Sequence, residues 1–381
     1  MKHLLYHILF VLTISFNCLA QNKATYSKEF YLHSIADTVG KTQHKDVVDF
    51  WVNYLYEEND SVRQKYWLDT DIKRFGNDYS LFYNSLFQYP PNTLLNYFKP
   101  YILSIYLDDT TYHIVTAFMN FNFAPNDTSI VQNSNPFAIT EIGVVKKNNE
   151  FYLSNLFDER TQKWVKVKMG KIRYIIDPLI APNETEMLDA TKFIDNLSNI
   201  FSLESDSITY VVCKTPQNLG YLIGFNFFFS GFTTGKTFIS ARMIVSGKGS
   251  FNYPHELTHI LIDPILNSGN FISEGIATYF GGSANKTYKQ LLQEFYKNHY
   301  PISADTFNTI TAYANSPASY TLSALIIDII YNKYGIQGVL KLKKSPDKPK
   351  NCLKHICVTF DINENNLFKL INELLINFAE K

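Results

Sequence analysis

His255-Glu256-Leu257-Thr258-His259 sets two imidazoles and a carboxylate within a single short run. On a helix, positions i and i+4 share a face, so His255 and His259 can point at one metal ion. Glu256 follows the first histidine directly, where it can reach an ion-activated water without being a ligand. Fifteen positions after His259 comes Glu274, within Ser273-Glu274-Gly275-Ile276-Ala277. A carboxylate opening a second helix there can face back toward the histidines. Two imidazoles and one carboxylate leave a fourth position open, as catalytic zinc sites do. The bland alternative is an amphipathic helix with solvated His and Glu. The apolar run Ile260-Leu261-Ile262 argues against it, because a buried helix must find partners for its His and Glu. For Glu274 the bland alternative is a first-turn glutamate favoured by the helix dipole.

The elements around these residues follow from local chemistry. Pro254 suits the first turn of the histidine helix, and Asp263-Pro264 is expected to end it after about two turns. Ser273 reads as the N-cap of the Glu274 helix, with Ile276, Ala277, Tyr279 and Phe280 packing inward. Thr237 to Val245 alternates as one strand leading toward the histidine helix. Arg242 to Val245 is expected to pair with an extended peptide.

His255-Glu256-x-x-His259 followed by Phe271-Ile272-Ser273-Glu274-Gly275-Ile276-Ala277 resembles the gluzincin, or peptidase MA-like, metallopeptidases. Their second element usually reads Trp-x-x-Glu-Gly-x-Ala, and Phe271 stands here at the Trp position. The spacer to Glu274 is shorter than in thermolysin and similar to that of small bacterial MA-like proteins. The resemblance spans roughly residues 170 to 381. It implies His255, His259 and Glu274 as Zn2+ ligands and Glu256 as general base. It also implies an oxyanion-stabilising tyrosine at the head of a later helix. Tyr320-Thr321-Leu322-Ser323-Ala324 fits that position with Ser323 where the larger gluzincins have Gly, and Tyr313 is the second candidate.

The rest of the chain frames this site. Hydrophobic content of 46% and aromatic content of 15% indicate a globular protein rather than a disordered one. A formal net charge of zero argues against a nucleic-acid partner. Residues 1–20 read as a signal peptide, with Lys2 as the basic region, Ile8 to Phe16 as the apolar core and Leu19-Ala20 before the cleavage point. The expectation is export without stable membrane insertion. Cys213 reads as a small core residue, while Cys352 and Cys357 are close enough in sequence to close a small loop. Gly235-Lys236-Thr237 lacks the spacing of a phosphate loop and reads as a turn.

The expected architecture is α+β throughout. Residues 21–168 read as an N-terminal α+β unit, helices followed by a curved antiparallel sheet, an order that resembles the NTF2-like fold. Within it, His113 reads as a core or edge histidine and Asp108-Asp109 as a turn. Residues 169–381 read as the metallopeptidase domain, with a mixed sheet and a helical C-terminal half. The function expected is an exported zinc metallopeptidase, of endopeptidase type, acting on a peptide or protein. The alternative is a catalytically silent zinc-containing binding or scaffold protein of the cell envelope. The sequence carries no signal for oligomeric state.

Overall fold

In the computed structural model, the structure describes residues 30–32, 44–81, 91–120, 135–204 and 206–379. The signal peptide read at residues 1–20 lies outside the described residues. The chain forms β1 (Tyr31–Leu32), then α1 (Lys45–Leu55), α2 (Asp60–Gln64), α3 (Asp69–Phe75) and α4 (Pro91–Tyr97). The apolar period of α1 places Val47, Val48, Trp51, Val52, Tyr54 and Leu55 in the interior. Four longer strands follow: β2 (Lys99–Asp108), β3 (Thr111–Met119), β4 (Pro136–Lys147) and β5 (Glu150–Ser154). They pair antiparallel in sequence order. Asn148 and Asn149 turn β4 into β5 with φ of 52° and 67°, the two positive φ values that a tight hairpin needs.

A second sheet comes next. Its elements are α5 (Phe157–Thr161), β6 (Val165–Met169), β7 (Ile172–Ile176), α6 (Glu184–Phe201), β8 (Ile208–Val212), α7 (Pro216–Leu222), β9 (Phe225–Phe228), β10 (Gly235–Phe238) and β11 (Met243–Ser246). The strand order is β10-β11-β8-β7-β6, with β11, β8 and β7 parallel and the two outer strands antiparallel. β9 leaves this sheet and pairs with β4 of the first one. Strand alternation sends Ile172, Tyr174, Ile176, Tyr210 and Ile244 into one core, shared with the helices that follow. Ile175, Val211, Met243 and Val245 point the other way, into the core of the first sheet. The second sheet is therefore buried on both faces.

Seven helices close the chain: α8 (Pro254–Leu266), α9 (Asn270–Gly281), α10 (Tyr288–His299), α11 (Ala304–Thr311), α12 (Pro317–Leu340), α13 (Pro349–Phe360) and α14 (Glu364–Ala379). Among the described residues, no helix is long and apolar enough to cross a membrane. The whole is a mixed α+β arrangement with one largely antiparallel and one mixed sheet.

Several local expectations are corrected. Residues 237–245 are not one strand, because the chain reverses between Phe238 and Met243, with Arg242 at φ 45°. β6 pairs with β7, so the divide drawn at 168/169 falls within one hairpin. α8 runs through Pro264 to Leu266 and ends at Asn267, whose left-handed φ of 42° turns the chain. α9 starts at Asn270 with Gly269 as N-cap, which puts Ser273 inside the helix. Cys352 and Cys357 both lie on α13 and are free, as is the fully buried Cys213. Five positions along a helix turn two side chains through about 500°, away from each other.

Candidate metal centre

The entry to α8 is fixed from three sides. Glu186 of α6 accepts from the Phe251 amide at 2.8 Å and the Ser250 hydroxyl at 3.2 Å. Tyr174 and Tyr210 donate their hydroxyls to the carbonyls of Phe251 and Ser250, each at 3.1 Å. Four hydrogen bonds thus hold the segment in front of Pro254, and the helix starts where they leave it. Every residue of α8 from His255 to Ile262 is buried, so the two histidines lie within the protein rather than on its surface.

The far nitrogen of each imidazole is committed. His255 Nδ1 lies 2.7 Å from the Gly282 carbonyl, which can only accept, so that nitrogen carries the proton. Gly282 reaches this place at φ 74°, and a Cβ on neighbouring Gly281 would meet the backbone of Pro254 and His255 at about 2.5 Å. The end of α9 can approach the start of α8 only because both residues are glycines. His259 Nδ1 lies 2.9 Å from Asp263 Oδ2, and Ser273 donates to the other Asp263 oxygen at 2.8 Å.

With both Nδ1 atoms protonated, the near nitrogens of neutral rings present lone pairs. The two Nε2 atoms are 3.2 Å apart, and Glu274 Oε2 lies 3.1 Å from His255 Nε2 and 3.8 Å from His259 Nε2. Three acceptors converging in this way repel one another unless a cation sits among them. Ligands about 2.0–2.1 Å from a shared tetrahedral centre stand roughly 3.3 Å apart, which matches these separations. His255, His259 and Glu274 are therefore a candidate metal-binding group. Protons can stand in for an ion there, and the electrostatics show the demand for positive charge. Burial works against a charged His259, but hydrogen bonds to Asp263 and Glu274 outweigh it and lift its pKa well above the ordinary value. Burial also opposes the Glu274 charge, yet the two histidines hold its pKa down at about 2.

Glu256 stands beside this group and outside it. The Thr237 hydroxyl on β10 donates to its Oε2 at 2.6 Å. Tyr320, near the start of α12, lays its ring 6.3 Å from that of His255 at 30°. Burial and the nearby carboxylates of Glu274 and Glu256 raise its pKa. A cleft of about 380 Å³ contains all five predicted residues, with β10 along one side.

His255, Glu256, His259, Glu274 and Tyr320 thus share one cleft, whereas Tyr313 is 66% exposed and lines a different depression. The sequence reading missed Asp263, Ser273, Thr237 and Tyr253. Asp263 had a signal, since it follows His259 by one helical turn. Tyr253 had none, and its cleft position comes from the turn before Pro254, with its hydroxyl 3.1 Å from Thr234. The expectation that Arg242 to Val245 pairs with a peptide is overturned, because β11 is already bonded on both sides, to β10 and β8.

No family model matches the chain, and a search of curated proteins finds no match.

Proposed function

We propose that the chain is an exported, zinc-dependent metallopeptidase of the gluzincin type. One observation carries this reading. A converging His255–His259–Glu274 donor set lies beside a carboxylate, Glu256, that takes no part in it. A purely structural ion has no use for that extra carboxylate. Two imidazoles and a carboxylate suit zinc. Zinc held there supplies Lewis acidity toward the scissile carbonyl and acidity to a water molecule.

The chain's own groups account for the proton traffic. Glu256 takes the proton from the attacking water and hands it to the leaving amine. Thr237 engages one of its oxygens, which fixes the rotamer and leaves the second oxygen for the proton. Tyr320 remains a phenol at neutral pH and donates to the developing oxyanion. β10 is the outer strand of its sheet and contributes Gly235, Lys236 and Thr237 to the cleft, so an extended substrate adds to this edge. For the first unit, we read the order of helices then antiparallel sheet as NTF2-like.

The test uses the mature chain as wild type, His259→Ala and Glu256→Gln, with zinc counted by elemental mass spectrometry and hydrolysis followed on a peptide library. We expect His259→Ala to hold one zinc fewer than wild type and Glu256→Gln to hold the same number. Glu256→Gln should lower kcat by about 10²- to 10⁴-fold. Full activity in that variant would overturn the mechanism. Zinc without hydrolysis in the wild type would leave the silent binding or scaffold protein.

A further inference from the structure

The first sheet holds a second set of converging ligand atoms, built around a histidine that the sequence suggested was a core or edge residue rather than a ligand. His113 on β3 is 2% exposed. Its Nδ1 lies 3.0 Å from Glu141 Oε1 on β4. Glu141 is itself held in place: Tyr106 donates to Oε1 at 2.6 Å and Arg160 to Oε2 at 2.7 Å. The Tyr106 ring stacks on the imidazole, with centroids 4.6 Å apart and an 11° interplanar angle. The His113 ring is thus fixed in both orientation and tautomer, with the proton on Nδ1 facing the carboxylate. A carboxylate behind a histidine is the usual support of a metal-binding imidazole.

The other nitrogen is unspent. His113 Nε2 is buried and makes no hydrogen bond. It faces Glu159 Oε2 of α5 at 3.5 Å. Asp108, at the end of β2, completes the set, and the three ligand atoms lie within 4.8 Å of one another. Asp158 is excluded from it, because Arg74 Nη1 lies 2.8 Å from both of its oxygens. Asp108 and Glu159 also line a cavity of about 830 Å³, which gives an ion its way in.

We propose that Asp108, His113 and Glu159 form a second metal centre, which takes a divalent transition ion through His113 Nε2 and one oxygen of each carboxylate. Water supplies the remaining positions. The imidazole favours zinc and its neighbours over magnesium or calcium. The ligands come from β2, β3 and α5, so the ion ties the tip of the β2–β3 hairpin to the helix that leads into β6. It therefore braces the first sheet against the second. This centre is independent of the proposed peptidase chemistry.

The test starts from the full mature chain carrying His255→Ala and His259→Ala, so that any zinc counted belongs elsewhere. After dialysis against zinc(II), elemental analysis should find about one zinc per chain, with a rise in Tm relative to the chelator-treated protein. Adding Asp108→Asn or Glu159→Gln, both on exposed side chains, should abolish the uptake and the Tm rise while leaving the chelator-treated melt unchanged. His113→Gln should do the same to uptake. No zinc in the double variant would overturn the proposal, as would uptake that persists after Asp108→Asn and Glu159→Gln.

Discussion

A neutral imidazole has one N–H and one lone pair, so the partner of its far nitrogen decides what its near nitrogen can offer. For His259 that partner is Asp263, which Ser273 in turn holds. Asp263→Ala should weaken zinc binding ten- to a hundredfold, the usual loss when an outer-shell carboxylate is removed. Competition against a chromophoric chelator measures it, and unchanged affinity would show that His259 is oriented without Asp263. The residues with metal chemistry were legible because two of them repeat at the helical period. Asp263 repeats at the same period from His259, but Pro264 beside it reads as a helix end and masked its role. Ser273 was read as a cap because serine before a glutamate opens many helices; here the helix begins at Asn270, and the hydroxyl is free to serve Asp263.

At the scale of elements, the site depends on how closely helices approach. Glu274 reaches the histidines from α9, and α9 lies against α12. A Cβ on Gly275 would meet the Ser323 hydroxyl at 2.1 Å and Ser323 backbone carbon at 2.9 Å. The same hydroxyl donates to the Phe271 carbonyl at 2.5 Å, so the two helices are bonded where they touch. Gly275→Ala must push them apart, at a cost of about 1–3 kcal/mol. Because Glu274 is the preceding residue, zinc affinity should fall with stability, and denaturant melts beside zinc titrations would show both. A variant as stable as wild type with full zinc affinity would mean that the interface yields without moving the ligand. Sequence showed the glycine but not its neighbour, since Ser323 lies far along the chain. β2 to β5 of the first sheet were visible for a different reason: they are runs rich in β-branched and aromatic residues that follow one another, with turn residues such as Asp109 and Asn148-Asn149 between them. β10 and β11 were not separable, because the turn between them lacks glycine and proline and its Ile239 and Ala241 continue the apolar run.

For the whole molecule, the question is whether the part that carries the candidate metal centre stands alone. The second sheet has a helical core on one face and the core of the first sheet on the other. Periodicity cannot reveal this, because a strand buried on both faces reads as a plain apolar run. β9 deepens the coupling: it comes from the later part of the chain yet adds to β4. A fragment of residues 169–381 would lose β6 from the edge of its sheet and expose Ile175, Val211, Phe225, Phe238, Met243 and Val245. Burying each such side chain is worth about 1.5–3 kcal/mol, so together they contribute on the order of the whole net stability of a typical domain. The fragment should therefore aggregate or bind a hydrophobic dye strongly, while the full chain melts in one calorimetric transition. A soluble fragment with the melting temperature of the full chain would show instead that α6 and α8 suffice to hold the second sheet. The single transition matters for function, because Glu186, Tyr174 and Tyr210 fix the start of α8 from that same sheet and its flanking helix. Loosening the first unit should then reach the proposed His255–His259–Glu274 site through the sheet, even though those three residues all lie outside that unit.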